Sequence, residues 1–349
     1  MASAKPSSLP TAAPTPATTV GCKPRVFSPA IASDRRLALV NLKGAEGYVV
    51  RDLTDIHNPF SVVNLGYGIA VPRFINGGEI SYSVDCGYAR GPLKGAPMLE
   101  VPAAGGHDSN MFTWTADGTT LIYLSDTGSG LALHQVKGGQ DRVLAKGIPS
   151  IPAVGCESEF CSLGDVTLQL IYSPDESKIS YVQNLIGRTV FRIWTSDGRV
   201  LNSSDAKGYN MPVWSGTGLY FQDSAGIEVW QNGVISQFLP RVSWLNPIAS
   251  PDGGQITYST RDATGFSHVW IADTAMRVAR ELKAARSGPA FLSGRYLWYT
   301  GERSCIASDH CPDGWKVVGN GKAYIYDLET GAESSSVITA VFDVWPRGA

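Results

Sequence analysis

Apolar and polar positions alternate with a period of two through most of this chain, and no stretch of about 12 residues carries the 3.6-residue period of an amphipathic helix. The alternating runs fall into a repeated unit. Each unit has a short strand, a tight turn at Asp or Gly, and a second strand ending on Tyr, Leu, Val or a small residue. Turn and second strand are read at 34–40, 77–83, 117–124, 175–182, 216–221, 252–259 and 294–300, which makes seven copies.

Third strands are expected at 191–194, 227–230, 269–271 and 323–326. Fourth strands follow second turns at Ser196-Asp-Gly198, Asn232-Gly233 and Glu329-Thr-Gly331. The unit is therefore a four-stranded antiparallel meander. Alone it would expose two edges and two faces, whereas radial stacking buries the faces and leaves only short edges. The pattern predicts an all-β chain, a β-propeller of four-stranded antiparallel blades, with seven blades favoured over six or eight. Copy two reads as irregular: only five residues separate 98–101 from His107, so its fourth strand is expected to be short or missing.

Ala, Pro, Ser or Thr fill 16 of the first 20 positions without periodicity. Residues 1–21 are expected to form a disordered tether, suited to following a cleaved signal or a membrane anchor, and residues 22–349 a single propeller domain.

Two copies carry a fuller signature, Tyr172-Ser-Pro-Asp175 and Ala249-Ser-Pro-Asp-Gly253, each followed by the alternating strand. They resemble the repeat of TolB-like propellers, which also occurs in the propeller domains of prolyl-oligopeptidase-type peptidases. The resemblance implies architecture over about residues 25–345 and is nearly silent on function. No G-x-S-x-G nucleophile elbow occurs, so the peptidase likeness is expected to stop at the propeller.

Lys and Arg number 29 against 31 Asp and Glu, a net charge of -2, which leaves no long-range field to gather nucleic acid or anionic lipid. No apolar run approaches the roughly 20 residues that span a bilayer. The six cysteines form two close pairs, Cys156/Cys161 and Cys305/Cys311, with Cys22 and Cys86 left as a long-range pair. Without a C-x-x-C, disulfides are favoured over a metal site. An extracellular or cell-envelope location follows.

In a meander blade the Asp/Gly turns share one face, here the turn face. Links between strands two and three and between blades share the other, the loop face. The long segments 83–97, 145–169 and 300–322 fall on the loop face, which is expected to be the binding surface. Asn110, Gln169, Asn210 and Asn246 precede successive first strands and are expected to ring the channel mouth, unless they only cap turns. Tyr88, Tyr209, Trp244 and Trp315 lie in the same segments, with Asp85, Arg90, His107, Asp108 and Arg241 among them. Aromatic rings beside charges suit a sugar or a protein hot spot, although such rings also cover the ends of a blade core.

Catalytic constellations are thin. His107-Asp108-Ser109 cannot form a relay because adjacent side chains point apart, His134 and His268 fall in third strands, His57 lies in a turn and His310 inside a cysteine loop. No cofactor loop and no metal motif is present, so no catalytic, cofactor or metal residue is assigned. The expected function is an extracytoplasmic module binding a protein or glycan. The alternatives are a carbohydrate lyase or hydrolase at the channel mouth and a structural subunit of a surface assembly.

Overall fold

The computed structural model describes residues 36–345 apart from 44–46, 58–59, 67–69, 77, 85–86, 94–97, 103–111, 151–165, 186–187, 204–209, 217, 264 and 305–316. Its first three strands are Leu37–Leu42 (β1), Tyr48–Asp52 (β2) and Phe60–Gly66 (β3). Six complete meanders follow: Ala70–Asn76, Glu79–Val84, Gly87–Pro92 and Met98–Pro102 (β4–β7); Phe112–Trp114, Thr120–Asp126, Leu131–Lys137 and Gln140–Ile148 (β8–β11); Val166–Tyr172, Lys178–Leu185, Arg188–Thr195 and Val200–Asn202 (β12–β15). The last three are Asn210–Ser215, Gly218–Gln222, Gly226–Gln231 and Val234–Pro240 (β16–β19); Leu245–Ala249, Gln255–Arg261, Ser267–Asp273 and Val278–Ala284 (β20–β23); Arg286–Phe291, Tyr296–Ser304, Val317–Asp327 and Glu333–Ser336 (β24–β27). The final strand, Ile338–Trp345 (β28), pairs antiparallel with β1 and becomes the innermost strand of the first blade. Seven four-stranded antiparallel blades thus form a ring, with no helix among the described residues.

Burial explains why second and third strands are apolar on both sides. In β13, Ile179 and Tyr181 pack with Ile122, Leu124 and Leu133 of blade three. Val182 packs with Trp214, Leu219, Phe221 and Trp230 of blade five. Alternate residues face alternate neighbours, so the period-two pattern becomes two inter-blade contacts instead of one buried and one wet face.

The hairpin turns are held by one recurring set of bonds. The Ser250 hydroxyl donates to Asp252 Oδ1 (2.6 Å) and accepts from Gln255 N (2.9 Å), while Gly254 N donates to the same Oδ1 (3.0 Å). Ser173, Asp175, Ser177 and Lys178 repeat this, as do Thr115, Asp117, Thr119 and Thr120. The Ser-Pro-Asp signature is therefore a hydroxyl two positions before a carboxylate, satisfying the turn's N–H groups locally.

Copy two differs from the expectation. Residues 98–101, read as preceding a short or absent fourth strand, belong to the fourth strand β7, and the third strand is β6 inside the segment treated as a loop. Gly and Pro in Gly87–Pro92 hid a strand that pairs in continuous register with β5. The 300–322 insertion is also partly strand: Glu302 to Ser304 pair with Gly319 to Val317, extending blade seven as a two-stranded ribbon.

Candidate functional site

The innermost strands run from the loop face to the turn face, and several are broken where they begin. Register against the second strand shifts within 70–73, 210–213, 245–248 and 287–290. Each segment contains a proline, at Pro72, Pro212, Pro247 and Pro289, which has no N–H for the ladder. The residue before three of them is left-handed: Met211 (φ 45°), Asn246 (φ 49°) and Gly288 (φ 61°). Bulges of this kind re-aim side chains and gather beside binding sites. For Met and Asn the conformation costs on the order of 1–3 kcal/mol each, held by the surrounding sheet. The loop-face mouth of the channel is thus rimmed by bulges in blades two, five, six and seven. In blade four, β12 pairs without a break, so the rim is uneven.

Of the residues singled out in the sequence, Asn210 begins β16 within its bulge, and Asn246 occupies the bulge of β20, exposed. Arg241 lies in the link between blades five and six, exposed and left-handed (φ 59°), its N–H donating to Ala225 O (2.8 Å). Arg241 and Asn246 thus stand near each other in sequence on the loop face.

Four expectations are corrected. Trp244 offers no ring to a ligand: it is 1% exposed, packs against Tyr258 (ring centroids 5.8 Å) and joins Ile227, Val229 and Leu239. Gln222 holds it in, accepting from Trp244 N (2.8 Å) and donating to Ser243 Oγ (3.1 Å). Arg90 belongs to strand β6 rather than to a loop. It reaches the turn of blade three, donating to the carbonyl of Gly118, pairing with Glu79 (3.3 Å) and covering the Trp114 ring (4.9 Å), so it serves the turn-face end of a blade interface. Tyr88 is likewise a residue of β6. Gln169 sits inside β12 on the side of Ile171, which packs towards blade five, and its Oε1 is buried with no hydrogen-bond partner among the described residues. Asp85, His107, Asp108, Asn110, Tyr209, Trp315 and all six cysteines, Cys22, Cys86, Cys156, Cys161, Cys305 and Cys311, lie outside the described residues.

The turn face holds a feature that no local motif announced. A cavity of about 340 Å³ opens where blades seven and one meet, lined by Arg36, Thr54, Asp55, His57, Ser293 and Tyr296. His57 meets the Tyr296 ring edge-on (5.8 Å, 82°), and burial lowers the pKa of Arg36 below the ordinary arginine value. Ring closure assembles this site from segments far apart in sequence. Among the described residues, no group of His, Cys, Asp and Glu is placed to hold a metal ion.

No protein-family profile and no curated protein matches the sequence. Solved structures do match in fold. Prolyl oligopeptidase B from Galerina marginata is 13% identical with a TM-score of 0.56, the match covering 91% of this chain and 50% of that one. A candidate 6-phosphogluconolactonase from Bacteroides fragilis is 12% identical with a TM-score of 0.52, covering 89% of this chain and 98% of that one. TolB from Acinetobacter baumannii is 14% identical with a TM-score of 0.47, covering 88% and 65%. The chain spans about half the length of the prolyl oligopeptidase and less than two thirds of TolB. It is a seven-bladed β-propeller, similar in fold to the propeller domains of prolyl oligopeptidases.

Proposed function

We propose that the chain is an extracytoplasmic binding module that receives a protein or glycan at the loop-face mouth of its channel. One observation carries this reading: bulges break the inner strands at Met211, Asn246 and Gly288 where they reach the rim, while the turn-face hairpins satisfy their own polar groups. Left-handed residues on the turn face, Glu176, Asn232 and Arg277, sit in tight hairpin turns where that conformation is ordinary, whereas at the loop face they interrupt the inner strands, which suits a surface shaped for a ligand. The even cysteine count and the Ala/Pro/Ser/Thr-rich start support an oxidising compartment and a tethered placement.

A panel of immobilised glycans and envelope proteins, probed with the purified chain and with an Arg241→Ala, Asn246→Ala double variant, tests the reading. Binding that falls at least about tenfold in the variant, equivalent to about 1.4 kcal/mol, supports it. Binding left unchanged overturns the placement at this rim. Release of new reducing ends from a polysaccharide, lost in the same variant, would make the mouth catalytic instead.

A further inference from the structure

Blade three carries a chain of hydrogen bonds that neither the repeat nor the channel mouth requires. Ser125 in β9, His134 in β10 and Asp141 in β11 share one face of the sheet. The register sets Ser125 opposite Ala132, His134 opposite both Tyr123 and Val143, and Asp141 opposite Val136. The three side chains therefore step diagonally across three adjacent strands. Ser125 Oγ lies 2.9 Å from His134 Nε2, and His134 Nδ1 lies 3.0 Å from Asp141 Oδ1. The Tyr123 ring stacks on the imidazole (4.6 Å, 22°), and its hydroxyl donates to Asp141 Oδ2 (2.7 Å), so both carboxylate oxygens are engaged.

We propose that Ser125 is an activated nucleophile, a site of covalent acylation or phosphonylation by activated esters, with His134 as its general base and Asp141 as the group that orients the base. A nucleophile within hydrogen-bond reach of a base, itself oriented by a third group, is the geometric signature of this chemistry, and it is recognised by roles rather than by order in the chain. Asp141 holds the Nδ1–H, which leaves the Nε2 lone pair directed at the Ser125 hydroxyl. Ser125 is half-buried and adjoins the exposed turn 126–129, so a small electrophile can reach it from solvent.

In the reaction the Ser125 oxygen forms a bond to the acyl carbon while its proton passes to His134 Nε2. The bond from that carbon to the leaving oxygen then breaks, and Nε2 returns the proton to the departing alcohol. Nothing is oxidised or reduced. Water then attacks the acyl carbon as Nε2 takes its proton, the bond from that carbon to Ser125 Oγ breaks, Nε2 returns the proton to Oγ, and the acid departs. Ser125 pairs with Ala132 and Thr127 N donates to Gly130 O, so among the described residues no pair of backbone donors is seen turned towards a tetrahedral oxyanion. The acylated serine should therefore persist, and turnover should be slow.

This site is separate from the channel mouth, and its test is independent of ligand binding there. The full chain is treated with a fluorophosphonate probe and the adducts are mapped by mass spectrometry. Ser125 should be modified at least about tenfold faster than Ser129, an exposed hydroxyl four residues on. Labelling should vanish in Ser125→Ala and fall at least about tenfold in His134→Gln, in keeping with a general-base contribution. The comparison of Ser125 with Ser129 in the unmodified protein needs no variant to fold. An unlabelled Ser125, equal labelling of Ser129, or undiminished labelling in a folded His134→Gln variant overturns the proposal and leaves the three residues as a cross-strand staple.

Discussion

The indole N–H of Trp298 donates to the carbonyl of Ile338 (3.0 Å), and both residues are buried. Trp298 belongs to the second strand of blade seven and Ile338 begins β28, so the bond crosses the seam where the ring is closed. The surrounding cluster joins Val40 and Val49 of blade one to Leu292 and Ile325 of blade seven. Replacing Trp298 by Phe keeps an aromatic ring and removes the donor, which should cost about 1–3 kcal/mol. Removing residues 337–349 should do more, since β1 would become an exposed edge and blades one and seven would separate. Urea unfolding followed by circular dichroism should show a lower midpoint at unchanged slope for Trp298→Phe, and a broad, uncooperative transition for the truncated chain.

Trp244 and Asn246 stand two residues apart and should respond in opposite ways to substitution. Trp244→Ala should destabilise by about 3–5 kcal/mol, as truncation of Trp194 or Trp230 should, because all three rings are buried between blades. Asn246→Ala should alter stability by no more than about 1–3 kcal/mol, the strain of its left-handed backbone, and Asn246→Gly should be neutral or stabilising. Thermal unfolding of the five variants checks this. A Trp244→Ala protein as stable as the parent would return that residue to the ligand-facing surface.

What was legible in the chain was local. A hydroxyl two residues before an Asp, as in Ser250 and Asp252, forms its bonds within six residues, so the turn can be read where it is written. Thr115-Ala-Asp117 forms the same lock without proline, which shows that the hydroxyl and carboxylate, not the Pro, carry the signature. Pairing β28 with β1 joins residues some 300 positions apart, and no pattern in either strand announces it. The burial of Trp244 depends on Gln222 in another strand, and the turn-face cavity depends on ring closure. The Pro-containing bulges did have a signal, the recurrence of Met211-Pro212, Asn246-Pro247 and Gly288-Pro289 at the start of inner strands. Asn beside Pro reads either as a ligand-binding collar or as a plain turn cap, so the sequence alone does not single out the bulge.

His268 is clasped from both sides. Its Nε2 lies 3.0 Å from Asp262 Oδ2, in the link between the second and third strands of blade six, and its Nδ1 lies 2.9 Å from Glu281 Oε1 on the outer strand. Only the protonated ring can donate to both, since a neutral imidazole carries one N–H. The hydrogen bonds to Asp262 and then to Glu281 raise its pKa above 6.5, against a smaller opposing effect of burial. Because the folded pKa is raised, the stabilisation is fully present below the unfolded value near 6.5 and is lost as pH rises through the folded one. The ring and its partners are largely solvated, so screening limits the effect to about 1 kcal/mol or less. Between about pH 6 and pH 9 the parent should lose slightly more thermal stability than His268→Gln, and NMR titration should find His268 titrating above its ordinary value. Protection factors for amide exchange in the link that begins at Asp262, which remove the intrinsic base-catalysed rise, should fall over the same range in the parent alone. A His268 that titrates at or below 6.5, with exchange independent of pH-linked opening, would show that the two carboxylates do not hold the charged ring in solution.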